Sequence, residues 1–302
     1  MTVEQIKANL QYFLPKRFLT RLVGFFASRK LGRVTEFFIK RFVKAYQINT
    51  QEMQGKPADY KTFNEFFSRP LKKGSRPIDK TIDGVVFPAD GKISQFGELL
   101  ENFQLQAKDH YFTTDALLGD KKDAEAFKNG SFMTVYLSPQ DYHRVHIPYA
   151  GKLLKMTHIP GELFSVNPLY TRQIPELFSR NERVVCLFET ALGKMAVVFV
   201  GAAIVRSIYT VWAGTVAPHK SGKISVKKYN SDDLTFEKGE EIGKFFMGST
   251  VICLFEKNKI SFEKLEPEQK VKVGEKMAQG HSGKELNKSS AKTAAKTTTK
   301  KK

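Results

Sequence analysis

A run of small residues, Gly248-Ser249-Thr250, sits between the apolar pairs Phe245-Phe246 and Val251-Ile252. A hydroxyl in an apolar strand is a buried nucleophile in waiting, and the peptide bond beside it has no side chain on its acyl side. Ser249 can therefore attack the carbonyl of Gly248, which would make the chain its own first substrate. The same run also reads as a strand with a glycine bulge. Two other stretches could serve the serine. In Pro88-Ala89-Asp90-Gly91 an aspartate occupies a turn after an apolar strand, where aspartate is also common for purely local reasons. In DYHRVHIP, residues 141–148, two of the six histidines, His143 and His146, stand three residues apart. Histidine is the usual general base near neutral pH. Asp90, a histidine and Ser249 in that order could form a triad, the carboxylate orienting the imidazole and the imidazole deprotonating the hydroxyl. A zinc site built from Asp90, His143 and His146 with an open position for water is the chemical alternative. Its spacing is not HExxH and no glutamate adjoins the histidines, so no metal is expected.

These residues need elements to hold them. From about Tyr60 to residue 265, short β-rich runs alternate with Gly, Pro, Asn and Asp signals: VVFPADGKISQFG, SFMTVYL, VVCLFET, MAVVFVGAAIV, SIYTVW and STVICLF. They predict an α+β fold with a β-rich catalytic domain over residues 51–283. The first 50 residues read as helix instead. Phe18, Leu22, Phe25 and Phe26, then Val34, Phe37, Phe38 and Phe42, recur at three- and four-residue spacing, with Pro15 and Gly32 as breaks. Residues 284–302, rich in Lys, Thr, Ala and Ser, have no apolar period and predict a disordered tail.

The formal charge of +18 belongs to the two ends. Residues 1–50 hold ten Lys or Arg against two Glu, and residues 284–302 hold seven Lys against one Glu, which leaves +4 for the 233 residues between. A basic helical segment rich in Phe suits an anionic membrane surface, rings in the acyl boundary and cations at the head groups; packing on the core with the basic face in water is its alternative. No nucleic-acid-binding module is evident. The longest apolar stretch, Met195 to Val205, is too short to span a bilayer, and no secretory leader is legible. Cys186 and Cys253 lie in apolar runs and read as buried thiols. A soluble or peripheral protein of a reducing compartment is expected.

Taken together, the motifs resemble the phosphatidylserine decarboxylase proenzyme family of the bacterial membrane-associated type. The matching stretches are FNEFFSRP (63–70), PADGKIS (88–94), DYHRVHIP (141–148), PGELFSVN (160–167), RNERVVCLFET (180–190), VWAGTV (211–216) and GKFFMGSTV (243–251). They run in order from about residue 60 to residue 255. Met247 stands where the family commonly has Leu, a swap of similar shape.

The resemblance implies cleavage between Gly248 and Ser249, giving chains 1–248 and 249–302 that stay together as a heterodimer or within a higher oligomer. It implies His146 as the base, oriented by Asp90, and conversion of Ser249 into a covalent pyruvoyl group with no external cofactor. That group would form a Schiff base with phosphatidylserine, and loss of CO2 would leave phosphatidylethanolamine. His143 is then expected to contact the substrate carboxylate or to deliver a proton. The implied location is peripheral, on the cytoplasmic side of the cell membrane.

Overall fold

The computed structural model describes residues 11, 15–99, 104–107, 110–202, 207–217, 222–230, 232–246 and 249–282. Met247, Gly248 and the Lys-rich segment 284–302, on which the scissile bond and the disordered tail were expected, lie outside the described residues. The fold is α+β and β-rich.

A nine-stranded sheet forms its centre, in the order Ser225–Lys228, Gly151–Ile159, Arg183–Thr190, Gly193–Val200, Ser249–Phe255, Ser131–Leu137, Gly91–Glu98 and Lys270–Val271, with Thr235–Phe236 also paired to Gly151–Ile159. The Ser249–Phe255 strand is flanked on both sides, in regular antiparallel register, by Ser131–Leu137 and Gly193–Val200. Its sequence shows why it sits there. Val251, Cys253 and Phe255 face one core and Ile252 and Leu254 face a second, so the strand is apolar on both faces. A continuous apolar run is the signature of a strand covered on both sides.

The first of these cores is shared with a four-stranded sheet ordered Gly214–Ala217, Ile208–Thr210, Glu241–Phe245 and Arg144–His146, which contributes Ile208, Ile242, Phe245 and Val145. Alternation along the Ser249–Phe255 strand puts Ser249 on the same face as Val251 and Cys253, toward this smaller sheet. The second core lies under short helices, among them Thr114–Leu118 and Leu177–Arg180.

Two longer helices precede the sheets. Lys16–Ala27 starts after Pro15, and Arg33–Tyr46 starts after Gly32, whose φ of 55° suits a residue without a side chain. The second helix docks by Ile39, Phe42 and Val43 against Met53, Phe63 and Phe66. The remaining rings of the periodic pattern stay in solvent: Phe18, Phe25, Phe26, Phe37 and Phe38 are each more than half exposed, at 64%, 52%, 53%, 60% and 57%. Among the described residues, no helix is long and apolar enough to cross a membrane.

Candidate active site

The Asp90, His143, His146 and Ser249 segments meet at one end of the large sheet. Ser249 opens its strand opposite Leu137, and the next row aligns Thr250 with Tyr136 and Tyr136 with Lys92. Asp90 therefore leaves the sheet two strands away from Ser249 at the same level. The chain beyond Leu137 carries both histidines. Their backbone is pinned to the other segments: His146 N–H donates to the Pro88 carbonyl at 2.8 Å, and Phe245 N–H donates to the His143 carbonyl at 3.0 Å. Gly91 makes the crossing possible, because a Cβ at that position would stand 2.2 Å from the Tyr136 carbonyl oxygen.

Ser249 is fully buried, and its hydroxyl has no hydrogen-bond partner among the described residues. The Thr250 hydroxyl is in the same condition. Buried polar atoms are nearly always paired, so two hydroxyls without a described partner at the start of one strand single out this position.

Both histidines are neutral and share one tautomer. His146 Nδ1 lies 2.8 Å from the Gly239 carbonyl and His143 Nδ1 lies 2.8 Å from the Asp141 carbonyl. A carbonyl only accepts, so each Nδ1 carries the proton and each Nε2 keeps a lone pair, the form a general base needs. Burial holds His146 below the usual histidine range and drives His143 down to about 3. The Nε2 of His146 sits 3.3 Å from the Tyr142 hydroxyl, whose own ionisation burial pushes up. The Nε2 of His143 is buried without a partner among the described residues, and its ring packs on that of Phe67 at 4.1 Å between centroids. Arg69 and Arg144 clamp this segment, Arg69 Nη2 on the Gln140 carbonyl at 2.9 Å and Arg144 Nε on the Ser68 carbonyl at 3.0 Å.

Asp90 is also buried, but its hydrogen bonds go elsewhere than expected. Arg76 Nε donates to Oδ1 at 2.9 Å, Arg76 Nη2 to Oδ2 at 2.5 Å, and Val273 N–H to Oδ1 at 2.9 Å. Arg76 Nη2 also reaches Glu52 at 2.9 Å. The ring nitrogens of His146 are taken by Gly239 and Tyr142, so the Asp90 carboxylate acts on His146 through its field, favouring the protonated ring.

Arg76, Tyr142 and Gly239 are the site residues that the sequence reading passed over. Tyr142 lay inside the DYHRVH motif, four residues before His146, and that spacing was its only signal. Arg76 and Gly239 carried none, since each meets its partner through a distant loop. Among the described residues, no three His, Cys, Asp or Glu side chains converge as a metal-holding group.

The chain's relatives agree with its motifs. The sequence profile described as phosphatidylserine decarboxylase matches residues 63–279, and a second profile, described as PSD, matches residues 6–47. The phosphatidylserine decarboxylase proenzyme of Alteromonas mediterranea is 50% identical over 281 residues, covering 91% of this chain and 86% of that protein. The proenzymes of that name from Shewanella amazonensis and Shewanella sp. strain ANA-3 are 49% and 48% identical over 283 residues, covering 91% of this chain and 99% and 97% of theirs.

Proposed function

The chain belongs to the phosphatidylserine decarboxylase family, and we infer that it is a self-processing enzyme that converts phosphatidylserine to phosphatidylethanolamine and CO2. The observation that carries this reading is Ser249: a wholly buried hydroxyl with no partner among the described residues, at the head of an apolar strand, beside a glycine. Ser249 Oγ attacks the Gly248 carbonyl carbon while His146 Nε2 takes the hydroxyl proton. The C–N bond breaks as the C–O bond forms, and the proton passes to the released Ser249 nitrogen. Asp90 stabilises the imidazolium that exists between these transfers. Elimination then removes the Cα proton and breaks the Cβ–Oγ bond of residue 249, forming a Cα=Cβ double bond and freeing Gly248 as a carboxylate. Water replaces the nitrogen of residue 249, with loss of ammonia, and a pyruvoyl carbonyl remains.

The fully buried position of Ser249 fits such a group. Once formed, it supplies the electron sink that decarboxylation of an amino acid requires. His143 meets the substrate carboxylate. An anion beside its Nε2 favours the protonated ring, so the histidine gains there the proton that the carbon losing CO2 must receive. The exposed Phe rings of the two N-terminal helices, interleaved with Arg and Lys, hold the site against an anionic bilayer. The reading is of a peripheral protein on the cytoplasmic side of the cell membrane.

Mass spectrometry of the purified chain tests the reading. Cleavage should give a fragment of residues 249–302, about 6 kDa of the 34.3 kDa total, blocked to Edman degradation. Ser249→Ala should stay whole, and His146→Ala and Asp90→Ala should process slowly or not at all. A full-length wild-type chain that decarboxylates phosphatidylserine would overturn self-processing.

A further inference from the structure

Next to this site lies a cavity of about 500 Å³ whose lining was not anticipated from sequence. Its walls come from three places. Ser28 and Lys30 belong to the turn between the two exposed helices, Thr62, Asn64 and Ser68 to the segment carrying Phe67, and Arg144, Lys244 and Phe246 to the smaller sheet and its exit. Phe67 stacks on His143, and Phe246 stands three residues before Ser249. The cavity thus spans the distance between the helices that present Phe25 and Phe26 to solvent and the end of the sheet where the chemistry sits.

Its charges are arranged for an anion. Lys244 is half-buried and makes no ion pair with any described carboxylate; its Nζ rests over the rings of Tyr209, at 4.8 Å, and Phe246, at 5.6 Å. Arg144 spends Nε on the Ser68 carbonyl and Nη1 on Glu241, which leaves Nη2 without a hydrogen bond to any described residue. Lys30 is exposed at the mouth. On the acidic side, Glu241 is neutralised by Arg144, and Glu65 turns one oxygen to the Lys61 N–H. Burial and the neighbouring Arg144 lower the affinity of Lys244 for its proton, a cost that an anionic ligand would relieve.

We propose that this cavity is the binding site for the phosphodiester of the lipid substrate, with Lys244 as its principal contact, Arg144 as the second donor and Lys30 guarding the entrance. The proposal rests on the decarboxylase reading and adds to it the group that tells a phospholipid from other serine compounds. In a glycerophospholipid the phosphate lies between the acyl chains and the serine. Here the three cations lie between the membrane-facing helices and Ser249. An aromatic cradle keeps the ammonium in place without a carboxylate that would compete with the phosphate.

Steady-state kinetics on phosphatidylserine in mixed micelles provide the test, with Lys244→Met and Lys244→Arg beside the wild type. Lys244→Met should still cleave to chains 1–248 and 249–302 and sediment with anionic vesicles as the wild type does. Its KM should rise at least tenfold with kcat within about threefold, and Lys244→Arg should recover most of the loss. Lys30→Gln, at the exposed mouth, should raise KM about threefold and serves if Lys244→Met fails to fold. An unchanged KM in Lys244→Met or, where that variant does not fold, in Lys30→Gln would overturn the proposal. So would a KM rise in Lys244→Met matched by an equal loss of vesicle binding, which would reduce the lysine to general surface attraction. A wild type that turns over no phosphatidylserine would instead overturn the decarboxylase reading itself.

Discussion

At the scale of single residues the site depends on groups kept neutral or paired at a cost to the fold. His143 is the clearest case. It is uncharged when buried, with a pKa near 3 against 6.5 for a free imidazole. The unfolded chain therefore binds one proton more than the folded chain between those values. Stability is fully present above about pH 6.5 and declines as pH falls toward 3, by about 1.4 kcal/mol per pH unit from this residue alone. Urea melts of Ser249→Ala, which keeps one intact chain, should show that slope, and adding His143→Gln should flatten it. An unchanged slope would mean that His143 is solvated. Arg76 poses the converse problem. It supplies three of the four hydrogen bonds to Asp90 among the described residues, and its removal would leave a buried carboxylate with only the Val273 N–H. In the same background Arg76→Met should cost about 3 kcal/mol, the usual loss when half of a buried pair is removed. In the otherwise wild-type chain it should also slow cleavage, because the charge that steadies the His146 imidazolium would be displaced.

At the scale of elements, what was legible in the sequence is what local pattern encodes. STVICLF, VVCLFET and SFMTVYL are strands because their apolar residues feed two cores, and the helices of the first 50 residues follow their three- and four-residue spacing. The strand Gly151–Ile159 was missed because Lys152 and Lys155 interrupt its apolar run, although both reach carboxylates, Asp232 and Asp120. Asp90, His143, His146 and Ser249 were found by type and motif. Their supports were not, because Val273 reaches Asp90 across 183 residues and Gly239 reaches His146 across 93. No periodicity records such pairings. The helix Arg33–Tyr46 shows how one element divides its work. Phe42 packs against Phe63, Phe66 and Phe67, whereas Phe37 and Phe38, among the described aromatic residues, touch only each other and are mostly exposed. Phe37→Ser with Phe38→Ser should therefore leave the melting temperature within a degree or two and sharply reduce sedimentation with anionic vesicles. Phe42→Ser should instead destabilise the fold by about 3 kcal/mol. Equal vesicle binding by the double variant and wild type would remove these rings from the membrane contact.

At the scale of the molecule, the proposed cleavage site lies where a cut would not separate the products. The proposed short chain begins at the central strand of the large sheet. Ser249–Phe255 is paired along seven residues with Ser131–Leu137 and along six with Gly193–Val200. Farther on, Ile260–Phe262 pairs with Lys276–Gly280, which pairs with Gly84–Val86, and Lys270–Val271 pairs with Gly91–Glu98. Val251, Cys253 and Phe255 remain in one core and Ile252 and Leu254 in the other, whatever happens at the preceding peptide bond. Val273 continues to hold Asp90 from the short chain while Arg76 holds it from the long one. Burial of four large apolar side chains, Val251, Ile252, Leu254 and Phe255, at about 1.5–3 kcal/mol each exceeds the entropy released by one chain break. Chains 1–248 and 249–302 should therefore coelute from a gel-filtration column in native buffer and through repeated dilution. They should part only in denaturant, across the same transition that unfolds the sheet. A short chain that separates under native conditions, leaving a folded and active long chain, would show that the central strand is not what joins them.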